Sequence, residues 1–238
     1  MSEQELQLLF AIRDLPLITA EQLANKLRRH PQAVRRTLEK FSSVTKPLLQ
    51  RMREDAYTPY VYALTREGVK HFGGQFVSLK ERSSYFLTHE IFCNEVMIDL
   101  SLNYEIEVCW QGRKAWDQEI HPDRFLILKS GERRRALFVE VETGTNADPD
   151  FKKKIEDYIK YREKYFVGKP EGWKHHKYGV KIFSVLTVGT SEVHARKLAD
   201  LSAPIIPHLI RKLFLFSSLP IGMCIVPHEV EQYPLISY

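Results

Sequence analysis

The run from Pro122 to Tyr161, PDRFLILKSGERRRALFVEVETGTNADPDFKKKIEDYIKY, decides how this chain is read. Phe125–Leu128 is apolar, Ala136–Val141 is nearly so, and Ser130-Gly131 between them has turn residues. That pattern predicts two strands of a hairpin. Asp123 opens the first strand, and Glu140 and Glu142 close the second. Side chains alternate along a strand, so the two glutamates share a face. Pairing of the strands would carry Asp123 toward them, in a register the sequence leaves open. After the loop Thr143-Gly144-Thr145-Asn146, a helical pattern runs from Asp148 to Tyr165 and carries Lys152, Lys153 and Lys154. Carboxylates at the ends of adjacent strands, with lysines on the next helix, suit a divalent cation and a phosphate.

Outward from that run, Ser84–Leu102 reads as a long helix, Ile106–Trp110 as a strand and Trp116–Ile120 as a short strand. Val180–Val188 reads as a further strand, and Ser191 is a good N-cap for a helix over Glu192–Leu201. The order over 84–188 is therefore α-β-β-β-α-β. Glu95, on the long helix, is a possible fourth carboxylate for the metal and equally an ordinary surface residue. Ile205–Phe216 and an edge strand in Pro220–Val226 complete the core or form a homodimer contact. His175-His176 reads as a solvent-facing loop, and Tyr233 and Tyr238 carry no mark of a nucleophile.

The first 75 residues have a different pattern. Helices are expected over Glu3–Arg13, Ala20–Leu27 behind the cap Thr19, and from Pro31 to about Phe41. Two strands follow, 47–52 and 60–64, around a polar turn at Glu54-Asp55, and then a helix over Arg66–Phe72 capped by Thr65. On the third helix Gln32, Arg35, Arg36 and Lys40 lie away from the Val34/Leu38/Phe41 stripe. Arginine can pair with guanine and glutamine with adenine. Arg28, Arg29, Arg51 and Arg53 are candidate phosphate contacts. Gly73-Gly74 marks a boundary, giving domains over 1–75 and 76–238.

Charge supports that division. Residues 1–80 hold 13 of the 35 Lys+Arg and 8 of the 30 Asp+Glu, which leaves 22 of each for the rest. The whole excess is N-terminal, which fits double-stranded DNA there or a solvated basic face. Cys93, Cys109 and Cys224 lack the spacing of a zinc site or a disulfide framework. Cys93 and Cys109 read as small core residues in a reducing compartment. No N-terminal segment looks like a signal peptide, and Leu213–Val226 is too short and broken to span a membrane. The expectation is a cytoplasmic protein with no membrane partner.

Three resemblances follow from these residues. ITAEQLANKLRRHPQAVRRTLEKF, LLQRM and YVYALTREGVKHF resemble a winged helix-turn-helix DNA-binding domain, whose third helix enters the major groove. Pro122-Asp123 and Glu140-Val-Glu142 resemble the PD-(D/E)XK nuclease superfamily, in which two acids bind Mg²⁺ (or Mn²⁺) and a lysine assists. The resemblance gives Asp123 and Glu140 the metal-binding roles. Glu142 stands where the superfamily carries its lysine, and Lys154 with Tyr158, on one helical face, is the expected substitute. THEIFCNEV, PDRFLIL, EVETGT, KKKIEDYIKY and FSVLTVGTSEVHARKL together resemble the replication-relaxation family, which includes MOBC-type plasmid mobilisation relaxases.

The fold implied is α+β / α/β, a winged helix followed by a restriction-endonuclease-like mixed sheet flanked by helices. The function implied is metal-dependent nicking at a plasmid origin-like site, with an accessory mobilisation or replication protein as a possible partner. The alternatives are a non-catalytic DNA-binding accessory protein or transcriptional regulator on a degenerate nuclease fold, and an interaction module without nucleic acid. The glutamate in place of the lysine favours the former.

Overall fold

The computed structural model describes residues 1–79, 82–111, 120–144, 147–166, 180, 183–221, 223–225 and 232–234. The chain divides into two compact units, Met1–Ile98 and Asp99–Tyr238. Each is a mixture of helices and one sheet.

In the first unit, α1 (Glu3–Asp14), α2 (Ala20–Leu27) and α3 (Pro31–Ser42) precede β2 (Leu49–Met52), β3 (Val61–Leu64) and α4 (Arg66–Phe72). Local chemistry sets the helix starts. Ser2 and Thr19 each form a reciprocal cap with the residue three places on, Glu5 and Gln22. His30 caps α3, with Pro31 at its first position. Arg28 takes a left-handed conformation (φ 52°) at the end of α2, which turns the chain into α3. One element escapes the periodicity argument. Ile18–Thr19 is a two-residue strand, β1, paired with β3, so the sheet has three strands in the order β1-β3-β2. Two residues are too few to display alternation.

The long helix α5 (Ser84–Asn103) crosses the division between the units. Its first part belongs to the first unit because its contacts are there. Leu87 is buried with Leu17, Val61, Ala63 and Leu79. Asn94 Nδ2 donates to Pro16 O at 2.9 Å, and Gln22 Nε2 donates to Ile91 O at 2.7 Å. The compositional boundary at Gly73-Gly74 therefore precedes the packing boundary by about one helix.

The second unit is built on a mixed sheet. Its strands are β4 (Glu105–Gln111), β5 (Arg124–Ser130), β6 (Arg133–Glu142), β7 (Phe183–Gly189), β8 (Phe214–Ser217), β9 (Met223–Ile225) and β10 (Gln232–Pro234). They lie in the order β10-β9-β8-β7-β6-β5-β4. β4, β5 and β6 form an antiparallel meander, whereas β6-β7 and β7-β8 are parallel. Helices α6 (Asp148–Phe166) and α7 (Glu192–Ser202) make the parallel crossovers. Phe138 at the centre of β6 meets Phe125, Tyr158, Tyr161 and Phe183 at ring distances of 4.8–6.1 Å. β6 from Ala136 onward and all of β7 are buried on both faces, which explains the apolar run Ala136–Val139 and the largely apolar β7.

Two expectations change. Cys109 is exposed, since β4 ends the described sheet and is paired on one side only. The strand within Pro220–Val226 lies between β8 and β10 rather than at an edge. The expected strand at Trp116–Ile120 lies, apart from Ile120, outside the described residues, as do Thr145, Asn146, His175, His176 and Tyr238. Among the described residues no helix is long and apolar enough to cross a membrane.

Candidate functional site

The hairpin register places the acids. Arg124 pairs with Val139, so one step further along the ladder sets Asp123 opposite Glu140. Asp123 itself precedes the strand, and its Oδ2 accepts from Val141 N at 2.8 Å. That bond pins the carboxylate across the end of β6. Gly144, at φ 87°, then turns the chain out of β6 toward α6.

Glu140 and Glu142 project toward α6, and Lys154 answers both. Its Nζ donates to Glu140 Oε2 at 2.9 Å and to Glu142 Oε1 at 2.7 Å. One turn on, the Tyr158 hydroxyl donates to Glu140 Oε1 at 2.5 Å. Asp123, Glu140, Glu142, Lys154 and Tyr158 are thus one cluster, carried by a strand end, a strand and one face of a helix. Glu140 and Glu142 are only 1% and 2% exposed. Beside them is a cleft of about 200 Å³ lined by His121, Glu140, Asp150, Lys153, Lys154 and Asp157.

The electrostatics follow from burial. Burial pushes the Glu140 carboxyl up to about 7; the Lys154 ammonium opposes this and the Asp123 charge adds to it. For Lys154, burial alone would lower the pKa, but attraction to Glu140, Glu142 and Asp123 outweighs it and raises the pKa. Tyr158 is raised by burial and then by the neighbouring Glu140, so its phenol is a fixed hydrogen-bond donor. Three carboxylates and one ammonium meet here, and carboxylate oxygens are donors of the hard type that Mg²⁺ and Mn²⁺ prefer. The donor set fits a divalent cation.

Glu95 is placed differently. It lies in the first unit and accepts from Gln22 Nε2 at 2.7 Å. Its carboxylate helps fasten α5 to α2.

The eight candidate DNA contacts of the first unit separate into three groups. Gln32, Arg28 and Arg36 are exposed. Arg29 and Lys40 are engaged within the unit. Arg29 donates to Gln4 O at 2.8 Å and to Gln7 Oε1 at 2.5 Å, and Lys40 donates to Glu5 Oε1 at 2.6 Å. Both fasten the α2–α3 region to α1. Arg35, Arg51 and Arg53 line a groove of about 580 Å³ between α3 and the β2–β3 hairpin. Arg51 and Arg53 both lie over the Tyr60 ring, 4.9 and 4.8 Å from its centroid. Acids stand among these arginines. Glu21 accepts from Arg35, and Glu39 is 3.8 Å from Arg51. Sequence reasoning missed both acids, since neither breaks any periodicity.

A family model described as Replication-relaxation matches residues 9–174. No curated protein and no solved structure matches the chain.

Proposed function

Because this chain belongs to the replication-relaxation family, a description that points to plasmid replication or mobilisation, we propose that it is a metal-dependent DNA nickase. In this reading the first unit, a winged helix, recognises double-stranded DNA, and the second, a PD-(D/E)XK-type unit, cuts one strand. The observation that carries the reading is the convergence of Asp123, Glu140 and Glu142 with Lys154 beside an open cleft.

Asp123 and Glu140 would hold Mg²⁺ or Mn²⁺, with Glu142 close by. Such an ion, when bound, polarises a phosphoryl oxygen and lowers the pKa of a water. The chain's own residues prepare the site. Val141 N–H holds one Asp123 oxygen and Tyr158 holds one Glu140 oxygen, so both acids are oriented before a ligand arrives. Glu140 ligates only when ionised, and burial raises its pKa, so a proton competes with the ion for this carboxylate. Lys154 is the charge nearest the paired glutamates. On a phosphodiester it neutralises developing negative charge, the task the superfamily assigns to the lysine that Glu142 replaces here. In the first unit Arg35 and Arg36 on α3 face base edges, while Arg51 and Arg53 meet phosphates.

A second reading is favoured by one fact. Lys154 spans Glu140 and Glu142 and so supplies a cation of its own. A second unit closed by that bridge would be a non-catalytic scaffold, and the protein a DNA-binding replication or mobilisation factor.

Relaxation of a supercoiled plasmid carrying the protein's own origin-like region separates the two. The nickase reading expects open-circle product with Mg²⁺ or Mn²⁺ from wild type. It expects at least about a hundredfold less from Asp123→Ala or Lys154→Ala, with DNA binding retained. Equal product from wild type and Asp123→Ala refutes the site. Binding without metal-dependent product from any form supports the scaffold.

A further inference from the structure

One turn of α5, in the first unit, gathers donors of a different chemistry from the carboxylates near Lys154. The ligand atoms of His89, Glu90 and Cys93 all lie within 4.8 Å of one another. Cys93 Sγ is 3.7 Å from His89 Nδ1, and a Glu90 carboxylate oxygen is 4.0 Å from the same nitrogen. The helix produces this arrangement. Residues 89 and 93 stand one above the other, and residue 90 lies three places before 93 on the adjoining row. Around a tetrahedral zinc ion, with bonds of about 2.0–2.3 Å, donors stand roughly 3.3–3.6 Å apart. Cys93 Sγ and His89 Nδ1 need to close by a few tenths of an ångström, Glu90 and His89 by roughly half an ångström, and Glu90 and Cys93, within 4.8 Å of each other, by at most roughly 1.5 Å.

Burial gives the cluster a floor and a mouth. Cys93 is 0% exposed, and the His89 and Glu90 side chains are each 17% exposed. An ion can enter past the imidazole and the carboxylate and find the thiol behind them. His89 Nδ1 faces both neighbours and can hold only one proton or one lone pair. A divalent cation between the three meets all of them at once.

We propose that His89, Glu90 and Cys93 bind one thiophilic divalent cation of the Zn²⁺ class, with a fourth position open to water or to a ligand from outside the chain. Among the described residues all three ligands come from a single turn, which leaves a fourth position for a ligand from elsewhere. Three protein ligands with an open fourth position is the arrangement that accepts an exogenous group. The charge and proton balance is simple. The Cys93 S–H bond breaks, a Zn–S bond forms, and one proton per ion passes to solvent. The thiolate and the Glu90 carboxylate together cancel the charge of the ion, so the occupied, partly buried site is neutral. Mg²⁺ prefers oxygen ligands, so it is not expected to compete at a thiol. This site stands independently of the nuclease reading.

The test uses the untagged full-length chain. Zn²⁺ is titrated in against a chromophoric chelator, and metal content is measured after gel filtration. Wild type should retain at least one equivalent, and Glu140→Gln should keep the equivalent that Cys93→Ser loses. Cys93→Ser and His89→Gln should bind at least about 10–100-fold more weakly. Glu90→Gln, at a partly exposed position, gives a variant whose folding does not depend on a core substitution, and circular dichroism checks all four. Co²⁺ in place of Zn²⁺ should give a near-ultraviolet sulfur-to-cobalt charge-transfer band in wild type that Cys93→Ser lacks. Equal zinc content in wild type and folded Cys93→Ser, or a cobalt complex without the sulfur band, overturns the proposal. Loss of zinc from Glu140→Gln, with Cys93→Ser unaffected, overturns it too, by moving the ion to the second unit.

Discussion

Replacing Glu140 with glutamine should stabilise the second unit, and the gain should grow with pH. Glu140 is 1% exposed, and burial raises its pKa from 4.5 to about 7 despite the ammonium of Lys154. A carboxyl raised in the folded state contributes stability that is complete below its unfolded value, near 4.5, and is lost as pH rises through about 7. At about 1.4 kcal/mol per pH unit, ionised Glu140 costs the fold about 3 kcal/mol at roughly pH 8.5 and less than about 1 kcal/mol at roughly pH 5. Glutamine keeps the shape and cannot ionise, so Glu140→Gln should recover about those amounts at the two pH values. The readout is already present in the chain. All three tryptophans, Trp110, Trp116 and Trp173, fall in the stretch of sequence 99–238 assigned to the second unit, so urea unfolding followed by tryptophan fluorescence reads that stretch. A variant less stable than wild type at both pH values would refute the reasoning, and so would a gain independent of pH. Either result would mean that the bonds from Lys154 and Tyr158 outweigh the burial of the charge. The expected result is a site held ready for a cation at the expense of stability.

The first unit supports two further tests. Arg35→Ala should weaken binding to the specific DNA site by about 1–3 kcal/mol and relax base preference there, whereas Arg29→Ala should leave base preference unchanged because its guanidinium is held by Gln4 and Gln7. Titration of both variants against specific and scrambled duplexes reads this, and equal losses of specificity would remove α3 from the groove. Gln22→Ala should lower thermal stability by about 1–3 kcal/mol, since it strips partners from the Thr19 N–H and the Ile91 carbonyl. Melting followed by far-ultraviolet circular dichroism checks it, and an unchanged midpoint would show that the Gln22 bonds do not fasten α5.

Most of the element order was legible because local signals carried it. Caps at Thr19, Thr65 and Ser191, turns at Gly131 and Gly144, and apolar periods of two and of about three and a half each lie within a few residues. What needed the third dimension was less legible. β1 is two residues long and exists through its pairing with β3. The N-terminal half of α5 belongs with the first unit through Gln22 and Asn94, contacts that span 69 to 78 residues. In the second unit the carboxylates could be named from the strand ends, but not the bond that pins Asp123 to Val141 N or the double contact of Lys154. Glu95 shows the converse. It reads as a free acid on a helix, and its partner Gln22 lies 73 residues away. The proximity of His89 to Cys93 went unread for another reason: a search for cysteine spaced from cysteine passes over cysteine spaced from histidine.

The acids among the arginines of the first unit bear on how such a protein would search. Arg35 is paired with Glu21, and Arg51 is close to Glu39. Under the proposed DNA-binding reading, any duplex that docks in the groove must first part these pairs, and the two released carboxylates then face phosphate. Only a sequence that offers Arg35 a well-placed acceptor compensates for that; an arbitrary sequence offers the repulsion alone. The acids therefore shorten each stay on wrong DNA more than they shorten the stay on the right site. For a protein that must find one short site among long stretches of competing DNA, dwell time on the wrong sequence limits the rate of the search, and Glu21 and Glu39 are placed to reduce it.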